Sequence, residues 1–135
     1  QAGHVKPYEP KGAVPSSEIG RCYASADIYV HASKTETFGN VLTEALASGL
    51  AVAGFDYAAA REYIKHGFNG LLAPVEEPET LAAQAQRLAS DPVLVQDLRS
   101  QAHASVSSLC WERIIAGLEA DFLRLSGISE NTIAP

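Results

Sequence analysis

Two glutamates, Glu36 and Glu44, stand eight residues apart and flank the tripeptide Phe38-Gly39-Asn40. The segment SKTETFGNVLTEALASG, residues 33–49, reads as a loop running into a helix that opens at that tripeptide. Val41, Leu42, Ala45 and Leu46 form the apolar stripe of this helix. A helix N-terminus has unpaired N–H groups and a partial positive charge, an arrangement suited to a phosphate. Gly39 has no side chain, so an anion can approach its backbone closely. Glu44 falls on the shoulder of the apolar stripe, a poor place for a solvated charge. It is a good place for a carboxylate that accepts from the hydroxyls of a bound ribose. Glutamate in an early turn also complements the helix dipole and favours helix, so the spacing alone leaves a structural reading open.

The elements that must position these residues belong to one globular domain of 135 residues, 47% apolar and 19% charged. Acidic residues outnumber basic ones by 16 to 10, a net charge of -6. That balance argues against coating nucleic acid, which needs a basic face, and against attraction to anionic membranes. No apolar run approaches the roughly 20 residues of a membrane helix, and the opening QAGHVKPYEP lacks the apolar stretch of a secretory signal. Cys22 and Cys110 are too few for a disulfide scaffold and have no metal-ligand spacing. They read as reduced core or near-core thiols of a cytoplasmic protein. The chain contains no methionine, which leads us to expect a piece of something longer.

Parallel strands are expected at 28–31, 50–54 and 71–73, and helices at 16–25, 39–48, 79–90, 93–107 and 111–125. A shorter helix is expected within DYAAAREYIKHG, and VKPYE, residues 5–9, reads as a weak strand demoted by its prolines. Gly49 sits where a helix C-cap glycine belongs, and Asn69-Gly70 signals a turn. Short apolar strands alternating with helices specify the α/β class, a doubly wound, Rossmann-like parallel sheet. Three strands are few for such a sheet, so the first strands of the domain are expected to lie outside the chain. Residues 1–127 would form this partial domain, and 128–135 a frayed tail. The uncovered sheet edge and apolar faces predict self-association, with the closing helix exchanged between copies.

The run from Glu36 to Glu44 resembles the Glu-(seven residues)-Glu motif of retaining GT-B glycosyltransferases, the glycosyltransferase group 1 family. CYASADIYVHAS resembles the family's helix and strand before the motif. EALASGLAVAGFDYAAAREYIKHGFNGLLAP resembles the strand, sugar loop and Asn-Gly turn after it, and SLCWERIIAGLEADFLRL the closing helix with its tryptophan. The likeness runs in one register from residue 12 to about 125.

The resemblance implies the C-terminal, nucleotide-sugar-binding half of a GT-B fold. Its parent would transfer a sugar from a nucleoside-diphosphate sugar to an acceptor with retained configuration. Glu36 would be the catalytic contact, to donor-sugar hydroxyls near the reacting carbon. The backbone amides at Phe38, Gly39 and Asn40 would hold the distal phosphate, Glu44 the ribose, and Val41 and Leu42 would wall the nucleotide. Thr37 stands where the family commonly has glycine, and Ala51 where it usually has proline. The family's arginine and lysine that balance the diphosphate have no matching stretch. An N-terminal acceptor domain is the implied partner, without which the chain alone would be inactive. No cofactor or metal is expected, since no Asp-x-Asp occurs. The rival reading is a non-catalytic nucleotide or sugar-phosphate binding module on the same fold. Of the remaining residues, His31 reads as packed or hydrogen-bonded, and His4, His66 and His103 have no ligand spacing. Lys34 and Lys65 read as solvated, Asp56 and Arg61 as lining the sugar pocket or capping a loop, and Trp111 as anchoring the last helix to the sheet.

Overall fold

The computed structural model describes residues 15–35, 40–109 and 111–126. The expected strand at 5–9, the residues Glu36, Phe38 and Gly39, Cys110 and the tail lie outside the described residues, as does the Trp111 side chain. Three parallel strands, β1 (Ile28–His31), β2 (Ala51–Phe55) and β3 (Gly70–Ala73), form a sheet in the order β1-β2-β3. Ile28 pairs with Ala51, and Val52 with Gly70. The helices are α1 (Ser16–Ser25), α2 (Asn40–Ala47), α3 (Ala58–Tyr63), α4 (Pro78–Ser90), α5 (Pro92–Val106) and α6 (Trp111–Ser126), with a 3-10 turn at Ser107–Leu109. The α/β class and the parallel, helix-covered sheet are therefore as the sequence predicts.

β2 is central and all five of its residues are buried, as a strand covered on both faces must be. Val52 packs with Leu42, Ala45 and Leu46 of α2, Ala59 and Ala60 of α3, and Ile64. Ala51, Ala53 and Phe55 point to the other core, with Leu81 and Leu88 of α4. α5 serves both cores, through Val95 and Leu98 on one and Ala102 and Val106 on the other. Each fully buried leucine contributes about 1.5–3 kcal/mol of transfer free energy, so the two cores fix the helices against the strands.

β2 starts one residue later than expected, and the end of α2 explains why. The Gly49 amide bonds Leu46 O at 3.0 Å and the Leu50 amide bonds Ala45 O at 3.2 Å, with Gly49 at φ +73°. This is a Schellman ending, which commits Leu50 to the helix cap and leaves Ala51 to begin the ladder. At β3, a Cβ on Gly70 would lie 2.9 Å from both Ile64 Cγ2 and Val52 O, so only glycine fits there. Asn69 before it is 2% exposed, accepting from the Lys65 amide at 2.7 Å and donating to Tyr63 O at 2.8 Å.

Two expectations need correction. Cys22 is exposed, because only a narrow stripe of α1 (Ile19, Tyr23) and the following Ala26 turns toward the body of the domain. α3 is capped at Tyr57 with no side-chain cap, so Asp56 does not take that role. α6 packs against the 3-10 turn and leaves Ile115 and Leu118 exposed.

Candidate functional site

α2 leaves the loop after β1, so its first turn lies at the carboxyl end of the sheet, where open parallel sheets receive ligands. Its eight residues divide cleanly. Leu42, Ala45 and Leu46 are fully buried, whereas Asn40 and Glu44 are exposed and Val41 is 46% exposed. The expectation for Leu42 is thus corrected: at 0% exposure it has no surface to offer a ligand and supports α2 from the core side. Of the predicted site residues, Asn40, Val41 and Glu44 share one short helix and face outward. Glu36, Phe38 and Gly39 lie outside the described residues.

Tyr23 is a neighbour that the sequence reading passed over. Its hydroxyl donates to Val41 O at 3.4 Å. Burial raises its pKa above the usual tyrosine value, and the negative charge of Glu44 and then Cys22 push it the same way. The Tyr23 ring meets Tyr29 edge-on at 6.1 Å, and Tyr29 meets His31 at 5.9 Å, with the Tyr29 hydroxyl 3.3 Å from His31 Nδ1. An aromatic row therefore runs from α1 to the last residue of β1, and His31 is packed within it, as the sequence reading has it. The signal for Tyr23 was its place on the inward stripe of α1, which reads equally well as plain core.

At the carboxyl end of β2, Lys34 is exposed but not simply solvated. Its Nζ lies 5.3 Å from the centroid of the Phe55 ring, a cation–π contact. Asp56 and Arg61 close on each other across their loop. Arg61 Nε donates to Asp56 Oδ1 at 2.9 Å and its Nη2 to Asp56 O at 2.8 Å, and both side chains are substantially exposed. Ala58, which opens α3, has φ +44°, a conformation that costs a non-glycine residue energy.

Beside Glu44 an open groove of about 430 Å³ runs along the surface where α2 meets α5 and the 3-10 turn, lined by Thr43, Glu44, Ala47, His103, Val106, Ser107 and Leu109. Among the described residues no three His, Cys, Asp or Glu side chains gather as metal ligands would. No described helix is long and apolar enough to cross a membrane.

The chain is 46% identical over 68 residues to a GDP-mannose-dependent alpha-mannosyltransferase of Mycobacterium tuberculosis, covering 50% of this chain and 18% of that protein. It is 33% identical over 104 residues to a GDP-mannose-dependent alpha-mannosyltransferase of Corynebacterium glutamicum, covering 76% and 23%. A D-inositol 3-phosphate glycosyltransferase of Thermobispora bispora is 31% identical over 104 residues, covering 77% and 24%. The chain thus spans a quarter or less of the length of these relatives. Among solved structures, the sucrose-phosphate synthase of Thermosynechococcus elongatus superposes with a TM-score of 0.75 at 27% identity, covering 87% of this chain and 30% of that one. The C-terminal domain of a glycosyl transferase group 1 family protein from Francisella tularensis gives a TM-score of 0.64 at 31% identity, covering 72% and 50%. Residues 9–105 match the family described as glycosyl transferases group 1. The match takes in all three strands, α2 and all of both cores but Val106, and the chain belongs to that glycosyltransferase family.

Proposed function

We propose that this chain binds the nucleotide-sugar donor of a retaining glycosyltransferase whose acceptor domain lies outside it. The observation that carries the reading is the division of α2. A two-turn helix at the carboxyl end of β1 buries Leu42, Ala45 and Leu46 while turning Asn40, Val41 and Glu44 outward.

The first-turn amides, from Phe38 through Asn40, hold the distal phosphate of the donor. Glu44 accepts from the ribose hydroxyls and Val41 walls the nucleotide beside it. Glu36, just ahead of the helix, contacts sugar hydroxyls near the reacting carbon. As the bond from sugar to phosphate breaks, negative charge grows on the leaving diphosphate. The helix end is already aimed at it, an electrostatic contribution that needs no reorganisation at the moment of reaction. The names of the mannosyltransferases of Mycobacterium tuberculosis and Corynebacterium glutamicum support a nucleoside-diphosphate sugar as the donor class. Transfer needs an acceptor surface as well, so the chain by itself binds the donor without transferring the sugar.

The test is a panel of nucleotide sugars, GDP-mannose among them, offered to the full-length protein and followed for transfer or hydrolysis. Turnover of one donor with the anomeric configuration kept is the expected result. Binding without turnover of any donor would favour a non-catalytic binding module. Absence of binding to all of them would overturn the reading.

A further inference from the structure

α2 is gripped from behind. The Schellman ending satisfies the carbonyls of Ala45 and Leu46, and the Ser48 amide bonds Glu44 O at 2.9 Å. Two carbonyls behind the helix then remain to be met, that of Ala47 in its last turn and that of Gly49 just past its cap. Both are met from α5. His103 Nδ1 lies 2.7 Å from Ala47 O, and since a carbonyl only accepts, this nitrogen carries the proton. Arg99 Nε donates to Gly49 O at 2.8 Å. Its Nη1 also pairs with Asp27 Oδ1 at the entry to β1. Arg99 and His103 are four residues apart, on one side of α5. α5 itself is seated in both cores, so the grip is exerted from a fixed body.

We infer that Arg99 and His103 are positioning residues for the donor site, setting where the N-terminus of α2 and Glu44 stand. The inference rests on the donor-site reading above. α2 is only about 12 Å long at 1.5 Å per residue, a stiff rod of two turns. Its buried stripe is small, three residues that include Ala45, and apolar packing is non-directional. Directional hydrogen bonds at the rear end therefore specify the axial position that packing leaves loose. Displacing the rod by a fraction of its rise moves the phosphate-facing amides and Glu44 together. Misplacements of about 1 Å at a reacting site cost up to about a hundredfold.

The experiment compares Arg99→Ala, Arg99→Lys, His103→Ala and His103→Asn with the parent sequence in the full-length protein. Affinity for GDP and UDP is measured by calorimetry, and amide hydrogen exchange of α2, β2 and β3 without ligand. Arg99→Ala is expected to weaken binding of the nucleotide that the parent takes by about tenfold and His103→Ala by a few-fold, on the scale of such misplacements. Exchange should quicken across residues 41–47 and stay unchanged in β2 and β3. His103→Asn, whose amide nitrogen can reach the same carbonyl, should restore affinity, and Arg99→Lys should restore part of it. Unchanged affinity, or exchange that quickens equally in β2 and β3, overturns the inference, the latter because it marks general destabilisation. Glu44→Gln serves as the control on the site. If it binds as the parent does, or the parent binds neither nucleotide, the donor reading fails. Exchange confined to α2 then still upholds the grip, and unchanged exchange still overturns it.

Discussion

The Tyr23 hydroxyl donates to the main-chain oxygen of Val41 at 3.4 Å, tying α1 to the first turn of α2 on the side that Glu44 occupies. A phenol held there ionises reluctantly. Burial is the largest cause, and the carboxylate of Glu44 adds to it by repelling a phenolate. Glu44→Gln should therefore move the Tyr23 titration down toward the ordinary tyrosine value without reaching it. The difference between absorbance titrations of each protein and its Tyr23→Phe counterpart isolates this one phenol. Identical midpoints would mean that the glutamate does not face Tyr23. The linkage has a definite sign. A raised folded-state pKa means the native state keeps its proton while the unfolded chain loses one, so this stabilisation is complete below the ordinary tyrosine value and is lost as pH rises through the folded-state value.

Asn69 offers a cleaner measure of what one buried side chain contributes. Its amide spans the Lys65 N–H and the Tyr63 carbonyl from a site with 2% exposure. Asn69→Ala removes both bonds and leaves two backbone groups unpaired, which should cost about 2–4 kcal/mol in denaturant unfolding. Asn69→Asp keeps the acceptor but turns a carboxylate oxygen on the Tyr63 carbonyl, and should be no better. A loss under about 0.5 kcal/mol, the size of an ordinary surface substitution, would show the turn to be held by Gly70 and the strand alone.

The strands, the helices and the turn glycine were legible because each rests on a local pattern. Continuous apolar runs made β1 to β3, a 3.6-residue stripe made α2, and Gly49 and Pro78 marked an end and a beginning. What stayed hidden rests on contacts between residues distant in sequence. No spacing rule connects Arg99 with Gly49, or His103 with Ala47, since those pairs exist only once α5 lies against α2. Leu42 was misplaced for a related reason. It sits next to Val41 in the motif, but one residue on a helix is a turn of 100°, enough to carry it from the exposed face to the core. Cys22 erred the opposite way, its apolar type suggesting a burial that the edge position of α1 does not provide.

Ala58 stores strain at the first residue of α3. Its φ of +44° belongs to a region that costs a residue with a Cβ about 1–2 kcal/mol. Ala58→Gly relieves that cost while adding unfolded-chain entropy of about 0.5–1 kcal/mol. The net expectation is a gain of roughly 0.5–1 kcal/mol in thermal or denaturant unfolding. A destabilisation would mean that the alanine methyl makes a contact worth more than the strain.

Val30 on the edge strand β1 is 43% exposed, and Leu118 on α6 is 65% exposed. Among the described residues no strand pairs with the outer edge of β1, and apolar surface left open beside such an edge favours self-association. Light scattering of the 135-residue chain at micromolar concentration should show species larger than a monomer, and Leu118→Glu should shift them toward one. A clean monomer would count against both the open edge and the exposed face of α6 as sticky surfaces.

The two glutamates of the motif should separate kinetically in the full-length protein. Glu44→Gln keeps the side-chain shape but removes the charge that, on the donor reading proposed above, strengthens hydrogen bonds to ribose hydroxyls. Charge-assisted bonds contribute about 1.5–3 kcal/mol against about 1 for neutral ones, so donor affinity should fall roughly two- to thirtyfold. On the donor reading proposed above, Glu36→Gln would act beside the reacting carbon, where positive charge develops as the diphosphate departs. It should lower kcat more than it weakens binding, because the lost interaction strengthens only in the transition state. Free nucleoside diphosphate lacks the transferred sugar that Glu36 would touch and should bind that variant almost normally, while Glu44→Gln should weaken it. A purely structural pair would show neither signature. If both variants melt early yet turn over like the parent at low temperature, the glutamates serve the scaffold, and the donor must be held elsewhere on the sheet.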